Sequence, residues 1–137
     1  MKAKEIGKIS EAELEIMKLL WQEGELASGD IVKRLQNERQ WDRSTTRTLL
    51  SRLVDKGAVL AEKQQAQGSV KERFVYRADI AEDAYVKTQT KGFIDRLYGG
   101  SARDLVAALV DERALSQADL AELRAFFDEA VTEGDEG

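Results

Sequence analysis

The segment Trp41-Asp42-Arg43-Ser44-Thr45-Thr46-Arg47-Thr48-Leu49-Leu50-Ser51-Arg52-Leu53 gathers small hydroxyl side chains and arginines at helical spacing. Serine and threonine are poor helix formers, so helix stability does not account for three threonines and a serine in the first turns. At 3.6 residues per turn, Ser44, Thr45, Thr48 and Arg52 fall roughly on one face, opposite Leu49, Leu50 and Leu53. Short hydroxyls near the start of a helix can approach base edges or phosphates closely, and arginine can clamp phosphate or read a base. The pattern makes Ser44, Thr45, Thr48 and Arg52 candidates for contact with base edges or phosphates, and Arg43 and Arg47 candidate phosphate clamps. The plain alternative is a solvated helix face carrying an incidental Ser/Thr run.

Other chemistries lack their residues. The chain has no Cys, which removes disulfides, thiol nucleophiles and thiolate metal sites together. It has no His, the commonest general base and metal ligand. No calcium-loop, phosphate-loop, dinucleotide or nucleophile-elbow motif occurs. The paired acids Asp111-Glu112 and Asp128-Glu129 read as solvated faces without electropositive partners. The expectation is therefore a protein that is not an enzyme and needs no metal or cofactor. The N-terminus has no apolar signal region, and no run approaches the ~18 apolar residues of a membrane span. A cytoplasmic protein without membrane contact is expected.

Three short helices must position the hydroxyl-rich face. Ser10-Glu11-Ala12-Glu13 has the form of a capping box for a helix over about 11–23, with Leu14, Met17, Leu20 and Trp21 at helical spacing and Gly24 at its end. Ser28 is placed to cap a second helix carrying Ile31, Val32 and Leu35 and ending near Asn37. Asp42 or Ser44 can cap the third, over about 42–56, with Gly57 behind it. Trp21 continues an apolar stripe, and Trp41 can staple the turn before the third helix; neither suggests a stacking platform. Two strand-like runs follow, 58–63 and 73–77, joined by a polar loop from Gln64 to Ser69. A hairpin is not stable alone and must lean on the helices. The result is a winged helix-turn-helix. In the wing, Lys63, Lys71, Arg73 and Tyr76 are candidate backbone contacts, while Phe74, and less firmly Tyr76, point to the core.

From Ala81 the pattern is helical again. One helix carries Tyr85, Phe93, Leu97 and Tyr98 with an interruption at Gly92; a second carries Leu105, Val106, Leu109 and Val110. A third, capped by Ser116, carries Leu120, Leu123, Phe126, Phe127 and Val131, and the tail from Glu133 is expected to fray. These stripes exceed what three short helices can bury within one small unit, so an intersubunit core is the economical outlet. The dimerisation candidates are Phe93, Leu97, Leu105, Leu109, Leu120, Leu123, Phe126 and Phe127. The fold expected is mainly α with a small β-hairpin wing: a winged-helix domain over 1–80, then a helical dimerisation domain over 81–137.

Charge follows the same division. The 137 residues carry a net −5, which taken whole argues against a nucleic-acid binder. Residues 1–80 are net +2 and residues 81–137 net −7, and residues 43–77 alone are net +5. The basic field sits on the elements that a winged helix presents to DNA.

The run Ile9-Ser10-Glu11-Ala12-Glu13-Leu14-Glu15-Ile16-Met17 with Leu20-Trp21, then Trp41, then Thr45-x-Arg47-Thr48-Leu49-Leu50-x-Arg52-Leu53-x-x-Lys56-Gly57, resembles the penicillinase-repressor family. The likeness continues through Phe93-Ile94-Asp95-Arg96-Leu97-Tyr98-Gly99-Gly100, Leu105-Val106 and Leu115-Ser116-Gln117-x-Asp119-Leu120-x-Glu122-Leu123. It implies a homodimeric winged-helix repressor that binds double-stranded operator DNA at inverted repeats of the TACA/TGTA type, controlling resistance or stress-response genes. It also implies base contacts at Ser44, Thr45, Thr48 and Arg52 and phosphate contacts at Arg43 and Arg47. The copper-sensing branch of that family carries C-terminal Cys-x-Cys motifs, which a chain without cysteine excludes. Members released by proteolysis are cut at an Asn-Phe bond after the Gly-rich turn, where this chain reads Ser101-Ala102-Arg103. An inducing protease acting here would need another specificity. The reading from a different class is a winged-helix module that applies its basic face to an acidic protein partner.

Overall fold

The computed structural model describes residues 8–65 and 72–136. The chain divides into two compact units, 1–86 and 87–137. The expected boundary at residue 80 precedes this division, which falls within the fourth helix.

In the first unit, α1 (Glu11–Glu23) begins on the reciprocal cap expected: Ser10 Oγ accepts the Glu13 N–H at 3.1 Å, and Glu13 Oε1 accepts the Ser10 N–H at 2.9 Å. Gly24 ends it at φ 87°, a conformation that a side chain would strain. Strand β1 (Glu25–Ala27) and helix α2 (Ser28–Arg39) follow. Ser28 does not cap α2; the chain enters the helix one residue early, from an extended Ala27 that lacks a side-chain acceptor. The helix also runs two residues past Asn37, closing on Gln40 in the left-handed region. Helix α3 (Arg43–Asp55) is capped by Asp42, whose carboxylate accepts the Thr45 N–H at 2.9 Å. Ile16, Met17 and Leu20 of α1, Ile31 and Leu35 of α2, and Leu49, Leu50 and Leu53 of α3 form one buried cluster, closed by Ala58 and Val59. Each such aliphatic side chain contributes about 1.5–3 kcal/mol of burial, which fixes α3 with its other face outward. Trp41 packs on the edge of this cluster. Trp21 donates its indole N–H to the Ile80 carbonyl at 2.8 Å and lies 5.7 Å from the ring of Tyr85.

The wing is a hairpin of β2 (Val59–Gln65) and β3 (Glu72–Ala78), and β1 adds a third antiparallel strand in the order β1-β3-β2. This third strand was not expected, because three residues carry no alternation to detect. Gln64 and Gln65, placed in the loop by sequence, belong to β2; Lys71 and the rest of that loop lie outside the described residues.

On β3 the expected core position at Phe74 is not buried, while that at Tyr76 is partly so. Val75 is the buried residue of β3, whereas Phe74 is 46% exposed and Tyr76 half-buried against the core cluster. The register gives the reason. Strand β1 pairs with residues 75–77 only, so Phe74, opposite Lys63, lies in the two-stranded part that the short strand does not reach.

The second unit holds most of α4 (Glu82–Tyr98), then α5 (Ala102–Asp111) and α6 (Gln117–Glu136). Helix α4 passes through Gly92 without a break, and α6 continues to Glu136 where fraying was expected. Ser101 caps α5 through the Asp104 N–H at 3.1 Å, and Ser116 and Asp119 cap the start of α6 reciprocally at 3.0 and 3.1 Å. Among the described residues of this unit none is fully buried. Leu97, Phe126, Phe127 and Val131 are each half exposed or more, and Phe93 and Leu109 are exposed as well. Leu105, Leu120 and Leu123 are partly buried. No helix among the described residues is long and apolar enough to cross a membrane.

Candidate nucleic-acid interface

Helix α3 turns one side entirely inward, and its remaining side chains are what the first unit offers to a partner. Ser44, Thr45, Thr48 and Arg52 are all exposed and, with Leu49, line one shallow depression of about 240 Å³. The four residues expected on one face are thus together. The remaining threonine of the run, Thr46, faces the opposite way: it is wholly buried. Arg43 and Arg47 are exposed beside this face. Arg47 borders a second groove, between α3 and the sheet, together with Ser28, Leu50, Ser51, Val54, Phe74 and Tyr76. Arg73 stands exposed on β3.

The charges on these elements differ in how far they are already neutralised. Among the described residues, Arg43, Arg47, Arg52 and Arg73 make no ion pair, while Arg34, Arg39, Lys56, Lys63 and Arg77 each approach a glutamate. Lys63 sits 3.0 Å from Glu72 and 6.0 Å from the centre of the Phe74 ring, so its charge is partly answered within the wing. Lys56 is withdrawn altogether. Its ammonium donates to Glu13 Oε1 at 2.6 Å and to the Lys8 carbonyl at 2.5 Å, turning it from the basic field toward α1. Neither role could be read from the sequence, since Glu13 and Lys56 are 43 residues apart. The capping box did mark Glu13, but only for its local bond.

The N-terminus of α3 carries a further feature. Asp42 Oδ1 accepts the Thr45 N–H and the Ser44 hydroxyl, each at 2.9 Å. The Thr45 amide, followed by the Ser44 hydroxyl, holds this exposed carboxyl below its usual range. Among the described residues no group of three acidic side chains is arranged to hold a metal.

A helix that presents hydroxyls and unneutralised arginines, seated on two further helices and flanked by a β-hairpin, defines a winged helix-turn-helix protein, a class in which the second helix of the motif is the one that enters the DNA groove. The comparisons narrow this class. The penicillinase repressor family model matches residues 9–129, and the chain belongs to that family. It is 32% identical over 126 residues to the penicillinase repressor of Bacillus licheniformis, covering 92% of this chain and 94% of that one. It is 32% identical to the methicillin resistance regulatory protein MecI of Staphylococcus aureus strain N315 over 85% of this chain and 89% of that one. Among solved structures, the DNA-binding domain of the repressor BlaI matches 61% of this chain and 94% of its own, with 35% identity and a TM-score of 0.51. Bacillus licheniformis BlaI in complex with the blaP half-operator matches the same shares, at 35% identity and a TM-score of 0.50.

Proposed function

We propose that this protein is a homodimeric DNA-binding transcriptional repressor that works in the cytoplasm, by binding and not by catalysis. Helix α3 enters the major groove of an inverted-repeat operator of the TACA/TGTA type, with Ser44, Thr45, Thr48 and Arg52 at base edges. Arg43, Arg47 and the wing residues Lys63, Lys71, Arg73 and Tyr76 lie along the backbone. Repression follows from occupying a promoter and excluding polymerase. The carrying observation is the outward face of α3, where four of those side chains share one depression and the neighbouring arginines have no carboxylate partner among the described residues. The BlaI complex with the blaP half-operator, on a related domain, supports operator DNA as the partner. Resistance or stress-response genes are the regulon this reading favours.

The test is a titration of the full chain onto a duplex containing a TACA–TGTA dyad and onto a scrambled one, at several salt concentrations. Binding should favour the dyad and weaken steeply with salt as counterions are released. Arg52→Ala should relax base preference by about 1–3 kcal/mol at one base pair, whereas Arg47→Ala should weaken all duplexes alike and flatten the salt slope by about one. Equal weak binding to both duplexes would overturn the repressor reading and turn attention to an acidic protein partner.

A further inference from the structure

A serine hydroxyl is ordinarily ambivalent, since it can donate to one base and accept from another. Ser44 is not free in this way. Its hydroxyl lies 2.9 Å from Asp42 Oδ1, and a carboxylate has no proton to give, so the hydroxyl hydrogen must point at Asp42. What Ser44 has left on the exposed face of α3 is lone pairs. Asp42 is well placed to keep this arrangement. It stands at the positive end of the helix, and the Thr45 N–H anchors the same oxygen at 2.9 Å.

Ser44 shares its depression with Thr45, Thr48 and Arg52, and of these Thr45 also brings its side chain within hydrogen-bonding reach of Asp42, so the carboxylate orients both hydroxyls. In the major groove, adenine and cytosine present an exocyclic amino group, whereas guanine and thymine present only acceptors and the thymine methyl. Resting on the DNA-binding reading above, we propose that Asp42 makes Ser44 an acceptor-only reader, which selects adenine or cytosine at the base it faces. Guanine or thymine there would set oxygen against oxygen, or force Ser44 to give up its bond to Asp42. Asp42 is thus a positioning residue: it sets base preference through Ser44.

The experiment measures binding of the full chain to the dyad duplex, a scrambled duplex, and a series of single replacements in one half-site. Each replacement puts purine for adenine or 2-pyrimidinone for cytosine, deleting one amino group at a time. Wild type, Ser44→Ala and Asp42→Gly are compared. Glycine is well tolerated at a helix N-cap, so Asp42→Gly keeps α3 while removing the acceptor that holds the Ser44 hydroxyl. At one position, amino-group deletion should weaken wild type about fivefold and leave Ser44→Ala unchanged. Asp42→Gly should lose most of that discrimination and admit guanine or thymine at the same position. If no deletion separates wild type from Ser44→Ala, or if Asp42→Gly keeps the wild-type preference, the proposal is overturned while the DNA-binding reading stands. Absence of any preference for the dyad over the scrambled duplex would overturn both.

Discussion

Glu13 is 2% exposed, yet its carboxylate accepts the Ser10 N–H and the Lys56 ammonium through a single oxygen. Burial alone would raise its pKa. The bonds from Lys56 and Ser10 and the Lys56 charge outweigh burial and hold it below the usual carboxylate range. A depressed folded-state pKa stabilises the fold above the unfolded value, and that stability is lost as pH falls through the folded one. Glu13→Gln keeps the acceptor that a capping box needs but not the charge. It should cost about 2 kcal/mol at neutral pH, less than a fully dry pair because Lys56 keeps 27% of its side chain in water. Urea unfolding from pH 7 down to pH 3 should show the wild-type advantage shrinking at the acid end; a constant gap would disprove the linkage. Among the described residues, two buried side-chain oxygens have no partner: the other Glu13 oxygen, Oε2, and Thr46 Oγ1. Thr46→Val keeps the shape and removes the unsatisfied hydroxyl, so a rise of about 1 kcal/mol is expected in the same melts.

At the scale of elements, the order of helices and wing could be read because each helix has a local signature: a capping residue, an apolar stripe, a glycine after the last turn. Helix α1 was legible to the residue for that reason, through Ser10, Glu13 and Gly24. What could not be read depends on partners distant in sequence. Strand β1 exists only because residues 75–77 are there to pair with it, and its shortness leaves Phe74 uncovered. Alternation put Phe74 and Tyr76 on one face of β3, and that face does meet the helices at Tyr76 and Ala78, but alternation could not say how far along the strand the cover extends. The same limit applied to the interface: Ser44, Thr45, Thr48 and Arg52 follow from one helix's periodicity, whereas the diversion of Lys56 needs the tertiary fold. The strand correction has a measurable consequence. Val75→Ala should destabilise the first unit by about 2 kcal/mol, while Phe74→Ala should change stability by under ~0.5 kcal/mol. Comparable losses in thermal or urea unfolding would mean that Phe74 is the core residue after all.

At the scale of the whole molecule, the two units differ in what they can bury. The first closes a core around Ile16, Met17, Leu20, Leu50 and Leu53, each at most 1% exposed. The second has no fully buried side chain among its described residues, and leaves Leu97 66% and Phe126 61% exposed. Helices of 10 and 20 residues have no such reserve of intrinsic stability, because helical stability in proteins comes mostly from packing an apolar face. In the homodimer proposed above, a second copy of the same unit would supply the missing surface, and its symmetry would match the two halves of an inverted repeat. It also gives the net −7 of residues 81–137 a place in the design, since the basic field is confined to the other end of the chain. The double substitution Phe126→Glu with Phe127→Glu sets like charges across that interface. Sedimentation velocity at micromolar concentration should show a monomer, and circular dichroism should show loss of helix. Affinity for a full dyad should fall on the order of a hundredfold, as the second half-site contact ceases to be intramolecular, while affinity for a single half-site holds. A variant that stays dimeric, or one that weakens half-site binding equally, would place the subunit contact elsewhere than α6.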